Sequence, residues 1–257
     1  MSLLDLYNGF IKYKLWYALS IESIRTRFLR SFAGFSWVFI SFGLFVLVKV
    51  IIFSSISGNN DPNFPAYVTV GFFVWFYVSS IAVDGCSVFV NSKNWIHGVK
   101  LPLSLFVYQT VCRNCILAGL NSLIVLAVIL YTQPNLHIQS LWNLIFIPLI
   151  VFNSIWITLL FALIGARFRD FVHMITSIMR ILLFLTPVFW HPHQMGKLWQ
   201  YLQFNPIAHY LILVREPMLE GKVPLTSLTV VIAITLVSMA LSLLSFSYAR
   251  QRIAFWI

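Results

Sequence analysis

The chain has 257 residues, of which 60% are hydrophobic, 17% aromatic and only 9% charged. A soluble domain carries about 25% charged residues, so this composition, with a mean hydropathy of +0.89, excludes a water-soluble enzyme or binding module and points to a polytopic membrane protein. The net charge of +10 does not point to nucleic acid, because no basic run is long enough and membrane proteins collect Lys and Arg in short cytoplasmic loops.

Residues 1–30 read as an amphipathic interface helix lying on the membrane. Leu3, Tyr7, Phe10, Tyr17, Ile21, Ile24 and Phe28 recur at helical spacing, and Lys12, Arg25, Arg27 and Arg30 supply the cationic side. Lys14 interrupts the stripe, where its stem can snorkel. The first long apolar run starts only near Phe32, so no signal peptide is expected.

Six apolar segments follow, at about residues 34–53, 67–90, 106–131, 141–166, 172–188 and 225–246. Twenty residues of helix span about 30 Å, the thickness of the hydrocarbon. The expected fold is therefore all-α, with a six-span transmembrane domain over 31–257. SGNNDPNFP and NSKNWIHGVKLP read as loops after the first and second segments, and Arg167, Arg169 and Asp170 open the loop after the fourth.

Pro187–Pro224 fits neither a loop nor a span. Five prolines punctuate two short apolar pieces, Leu198–Phe204 and Ile207–Val214. Such pieces lie at the interface or dip in and return against protein. With six spans both termini share a side, and the Lys/Arg count is eleven on that side against three on the other. That places the termini in the cytoplasm and Pro187–Pro224 outside.

Asp84 and Arg113 fall at similar depth on adjacent antiparallel segments, and an unpaired charge there costs at least about 2.5 kcal/mol, so a structural ion pair is expected. Asp84 also belongs to a polar stripe of Tyr77, Ser80, Ser87 and Asn91, with Thr110, Asn114 and Asn121 forming a weaker one on the next segment. Such stripes glue helices together or line a wet path, and both readings stay open. Lys49 can snorkel at the outer end of the first segment. Arg180, well inside the fifth, either faces a cavity and an anionic substrate group or reaches the cytoplasmic headgroups.

Catalytic signals are missing: there is no HExxH, GxSxG or GxxxxGK[ST]. Cys112-x-x-Cys115 and Cys86 read as core filler, and His191-Pro192-His193 as an external loop without a metal. The chain reads as a transport subunit rather than an enzyme, with no metal or cofactor of its own.

Four stretches carry a resemblance: Ile24-Arg25-Thr26-Arg27-Phe28 leading to Gly34-Phe35-Ser36-Trp37; Phe64-Pro65-Ala66-Tyr67 with Gly71 and Trp75; Thr186-Pro187-Val188-Phe189; and Asn205-Pro206-Ile207-Ala208-His209 with Arg215-Glu216. In this order and length the chain resembles the permease subunit of an ATP-binding-cassette type-2 exporter, of the branch that moves lipid-linked O-antigen, capsule or teichoic-acid polymers across the bacterial inner membrane. The resemblance implies a homodimer with two cytoplasmic ATPase subunits, which would bind ATP and Mg. It implies a coupling helix in the 91–102 loop, with Asn94, Trp95, Ile96, His97 and Lys100 as the docking face, and an interface helix carrying Arg25, Arg27 and Arg30. It casts Pro187, Trp190, Asn205, Pro206, Arg215 and Glu216 as an external gate. Arg215-Glu216, the only adjacent charged pair on that face, reads as pinning the gate helices rather than touching substrate. Reversing both charges should then retain more export than reversing one.

A polymer needs a tolerant path, and aromatic rings pack against the apolar faces of sugars. Phe35, Phe39 and Phe42 on one face of the first segment, Trp37 beside them, and Phe72, Trp75 and Tyr77 on the second are the expected channel lining. The alternatives are a type-2 exporter of a drug or small lipid, and a secondary transporter or membrane enzyme acting on lipid-linked sugars. The last two lack sequence support: no internal repeat is evident, and outside carboxylates are confined to Asp61, Glu216 and Glu220.

Overall fold

A computed structural model of the chain describes residues 2–27, 34–57, 63–134, 137–191, 196 and 203–257, with the backbone alone at 2, 35 and 53–57. Regular structure among them is helical. In chain order the helices are α1 (Ser2–Ile11), α2 (Tyr13–Arg27), α3 (Trp37–Ser57), α4 (Phe64–Cys86), α5 (Val88–Asn91), α6 (Lys93–Gly98), α7 (Ser104–Thr132), α8 (Asn143–Arg167), α9 (Phe171–Leu185), α10 (Pro206–Leu219), α11 (Leu225–Ala249) and α12 (Ile253–Trp256).

Four of these helical runs are long and apolar enough to cross a membrane: α4, α7, the run Ile138–Arg167 that ends in α8, and α11. Trp37–Ile52 and α9 are apolar but shorter. The fifth expected segment, 172–188, is cut back to a helix ending at Leu185. At 1.5 Å per residue its 15 residues cover only about 22 Å. The cause is Pro187, whose ring drives the preceding residue out of helical geometry; Thr186 is extended, at φ −104° and ψ 137°. The second segment is likewise not continuous to residue 90. It breaks after Cys86 and resumes as the single turn α5.

The N-terminal arm departs from one helix on a membrane surface. It is two helices broken at Lys12, both packed along α7. Ser20 Oγ donates to the Gln109 carbonyl at 2.9 Å, and Tyr108 OH donates to the Leu6 carbonyl at 3.2 Å. Asp5, Leu6, Ser20 and Ile24 are buried there, while the stripe Leu3, Tyr7, Phe10, Tyr17 and Ile21 stays exposed. A stripe facing away from the protein still suits a membrane surface. Phe28 and Arg30 lie outside the described residues.

α4 is the central helix, with α3, α7, α8, α9 and α10 packed against it. Among the described residues two large apolar cores result, beside a small cluster of Ala82, Cys86 and Ile175. The upper core joins Phe42, Val46, Phe72, Trp75, Phe146, Leu211 and Val231. The lower core joins Leu6, Phe89, Phe106, Leu163, Phe246 and Ile253, where both chain ends meet. Two glycines set the closest approaches to another backbone. A Cβ at Gly71 would stand 2.6 Å from the Val188 carbonyl oxygen, and one at Gly165 would collide with the Cys86 carbonyl. Small residues allow backbones in membranes to pack this closely.

Candidate functional site

At one end of the bundle, three of the stretches singled out in the sequence meet in a single knot. It is built from the α9 terminus upward. Thr186 Oγ1 donates back to the Leu182 carbonyl at 2.7 Å, closing the helix end that Pro187 forces. Asn205 then does two jobs. Its Oδ1 accepts the Ile207 N–H at 3.0 Å, capping α10, and its Nδ2 donates to Thr186 Oγ1 at 2.8 Å. Pro206 occupies the first turn of α10, where a missing N–H costs nothing. The Asn-Pro pair therefore ties the start of one helix to the end of another.

Arg215 locks the same knot from inside. It is 3% exposed, its Nη1 donates to the Pro187 carbonyl at 2.7 Å, and its guanidinium lies 3.6 Å from the Tyr67 ring centroid. Tyr67 in turn donates from its hydroxyl to the Trp190 carbonyl at 3.0 Å, and its ring lies 4.0 Å from that of His191. The Phe189 ring stacks on Phe72 at 6.2 Å. Arg215 makes these contacts with Pro187 and Tyr67 rather than with the adjacent Glu216. Burial lowers the guanidinium from its ordinary pKa, opposed by Tyr67, Glu220 and Glu216. Burial and Glu220 raise the half-buried Glu216 carboxyl, opposed by Arg215 and Lys222.

α10 is anchored to the long helices by buried polar groups. Tyr210 OH donates to Asn153 Oδ1, and Asn153 Nδ2 donates to Thr235 Oγ1 at 3.0 Å and Ser238 Oγ at 3.3 Å. Asn143 Nδ2 donates to the Val214 carbonyl at 3.1 Å. Neither Asn153 nor Tyr210 was singled out by sequence. A lone Asn in an apolar run was the available signal, and it needed the fold to show its partners.

At the opposite end, α6 is the short helix in the 91–102 loop. Asn94, Trp95, His97 and Lys100 are exposed there, whereas Ile96 turns inward onto the lower core. Beside it lies a latch with no clear sequence signal. Asp5, 3% exposed, accepts the Ser104 N–H at 3.0 Å and pairs with Arg250 at 2.8 Å. It ties α1 to the start of α7 and to the C-terminal tail. Arg25 and Arg27 lie exposed at the end of α2.

Between these ends, Arg113 Nη2 and Asp84 Oδ2 stand 2.8 Å apart, and Asn114 Nδ2 adds a bond to the same oxygen at 3.1 Å. The two polar stripes thus face each other. The expected channel aromatics separate into two groups. Phe42, Phe72 and Trp75 are buried in the upper core, because their side of α3 and α4 packs inward rather than onto an open path. Trp37 is 54% exposed and Phe39 half-buried. Tyr77 bonds Ser154 Oγ at 3.1 Å, and the Phe35 side chain lies outside the described residues. Lys49 lies 5.5 Å from the Phe45 ring centroid, and Arg180 is exposed on α9.

A model of the ABC-2 type transporter family matches residues 14–219. The chain is similar to the O-antigen export system permease protein RfbA of Myxococcus xanthus, 27% identical over 65% of this chain and 64% of that protein. It is also similar to the polysialic acid transport protein KpsM of Escherichia coli, 24% identical over 79% of this chain and 81% of that protein.

Proposed function

The chain belongs to the ABC-2 type transporter family, and from that premise we propose that it is the permease subunit of an ATP-driven exporter of lipid-linked polysaccharide, of the O-antigen or capsule type. One observation carries this reading: the matched region, residues 14–219, holds the whole knot, and relatives aligned to most of this chain are named for O-antigen export and polysialic acid transport.

The working assembly is a homodimer with two cytoplasmic ATPase subunits, which hold ATP and Mg; this chain supplies no catalysis. It sits in the bacterial inner membrane with both termini in the cytoplasm, as the Lys/Arg asymmetry favours. Six crossings follow if α3 and α9, the latter followed by the tight turn Thr186–Val188, complete the four long runs. The exposed Asn94, Trp95, His97 and Lys100 dock the ATPase, with Ile96 anchoring α6 from within. Arg25, Arg27 and Arg30 hold the interface arm at anionic headgroups. ATPase closure presses α6, α4 and α5 carry the displacement, and the knot of Pro187, Trp190, Asn205, Pro206 and Arg215 gates the outer mouth. Trp37 and Phe39 are the aromatics open to a polymer path between two copies.

The test is a deletion in the native host. Surface polysaccharide should disappear and polymer accumulate inside, both reversed by the wild-type gene, and the tagged chain should co-purify with an ATPase. Intact surface polysaccharide combined with new sensitivity to toxic compounds would instead identify a drug exporter.

A further inference from the structure

The facing polar stripes of α4 and α7 hold the helices together and also border a groove of about 380 Å³. Its polar wall is formed by Ser79, Ser80, Asp84, Asn114 and Asn121, and its other wall by the rings of Phe73, Phe76 and Tyr77. Arg27 stands at its rim. A groove of this volume falls within the range of small-molecule sites.

Its acceptors are incompletely used. Asp84 takes both of its bonds, from Arg113 and Asn114, on Oδ2. Its side chain remains 32% exposed. The Asn121 Oδ1 atom is buried with no hydrogen-bond partner among the described residues, although buried polar groups in folded proteins are rarely left unmet. Ser80 Oγ gives its proton to the Phe76 and Tyr77 carbonyls, so towards the groove it offers lone pairs. The wall therefore presents acceptors to a ligand rich in O–H donors, while the rings offer flat apolar faces. Phe76 is 37% exposed. Neighbouring hydroxyls with an apolar C–H face behind them are the chemistry of a pyranose ring.

We propose that this groove is a sugar subsite, in which a pyranose unit packs on Phe76 and Phe73 while its hydroxyls donate to the open side of Asp84, to Ser80 Oγ and, once the buried Asn121 amide turns towards the groove, to Asn121 Oδ1. This rests on the reading of the chain as a polysaccharide exporter and adds where a sugar is held. Asp84 thereby has two roles, one oxygen for the helix pair and the other for cargo. The groove runs between α4 and α7 and is partly open, so a sugar there must exchange water for protein hydrogen bonds. Few, weak contacts let each unit leave as the next arrives.

The experiment uses the full chain with its ATPase in lipid nanodiscs, titrated with a short oligosaccharide cut from the host's own surface polymer and read by saturation-transfer NMR. Asn121→Leu should weaken binding about fivefold, the worth of one hydrogen bond, and Ser80→Ala should weaken it less, both at the wild-type melting temperature. Asn121→Asp, which keeps an acceptor, should bind more tightly than Asn121→Leu. The same variants are expressed in the deletion strain. If the wild-type gene restores surface polymer but Asn121→Leu and Ser80→Ala bind and export like wild type, the subsite is wrong and the exporter reading stands. If the wild-type gene restores no polymer, the exporter reading itself fails. Equal binding of Asn121→Leu and wild type at matched stability also overturns the subsite, leaving water as what fills the groove.

Discussion

Arg215 is the residue on which the knot can be tested most sharply. Replacing it with Met keeps much of the volume and removes the guanidinium. The change loses a charge-assisted hydrogen bond to the Pro187 carbonyl, about 1.5–3 kcal/mol. It also loses the contact with the Tyr67 ring, about 2 kcal/mol where desolvated. Against this, a 3%-exposed cation is costly to hold, and removing it recovers several kcal/mol of desolvation. The net loss should therefore be only about 1–3 kcal/mol, and the informative quantity is the coupling. In a cycle of Arg215→Met and Tyr67→Leu, unfolding of the purified protein in mixed micelles should give an interaction of about 1–2 kcal/mol. Arg215→Lys should not substitute, because a compact ammonium cannot lie flat on the ring while reaching the carbonyl. The alternative, a pair with Glu216, predicts that Arg215→Glu with Glu216→Arg recovers export lost by either change. The geometry predicts no recovery. An additive Tyr67–Arg215 cycle, or rescue by the double reversal, would refute the clamp.

In the Asp84 and Arg113 cycle, either single Ala change should lose more stability than the double, with a coupling of about 1–2 kcal/mol in the same micelle assay. Asp5→Ala should lower stability by about 2 kcal/mol through the lost Ser104 cap and the Arg250 pair. Its N-terminal arm should also be cut faster by protease, and Asp5→Asn, whose amide oxygen can still cap, should lose less. Gly71→Ala should cost about 1–3 kcal/mol because its methyl meets the Val188 backbone. Gly119→Ala, with open space around it, should be neutral or stabilise by up to about 1 kcal/mol in a thermal melt.

The helices that sequence reads best are those whose apolar run is long and uninterrupted, such as α7 and α11. There hydropathy alone decides. Where two effects compete, the sequence reading slips. In 172–188 the apolar character continues to Val188, but Pro187 ends the helix three residues sooner. In the N-terminal arm the apolar period is helical throughout, yet it cannot say which face meets protein. The buried face is set by Asp5, Gly9 and Ser20, small or polar residues that let the arm approach α7, together with Leu6 and Ile24. The Asp84–Arg113 contact was legible because intramembrane charges have few resolutions. The Asp5–Arg250 contact was not, being one of many surface-like charges and separated by 245 residues. Arg215 meets Pro187 and Tyr67 rather than its neighbour Glu216 for a related reason. Adjacent residues on a helix point about 100° apart, so sequence neighbours are poor pairing partners.

What links the two ends of the proposed exporter is also visible in how α4 is held. Near one end, Gly71 lets the Val188 carbonyl rest against the helix with no side chain between. At the other, Gly165 lets α8 meet the carbonyl of Cys86, the last residue of α4. Backbone packed directly on backbone has little room to absorb a displacement by changing a rotamer, unlike contacts through Met or Leu side chains. Only nine residues separate Cys86 from Ile96, which anchors α6 in the lower core. In the proposed exporter a push on α6 would therefore reach α4 through a short run of chain and meet the knot through Tyr67 and Gly71. The knot can answer as a unit, because Asn205 joins α9 to α10 and Arg215 joins α10 to Pro187. In the proposed exporter, glycine at 71 and 165 would serve the transmission as well as the packing, and a methyl at either position should disturb export by more than its cost in stability alone would predict.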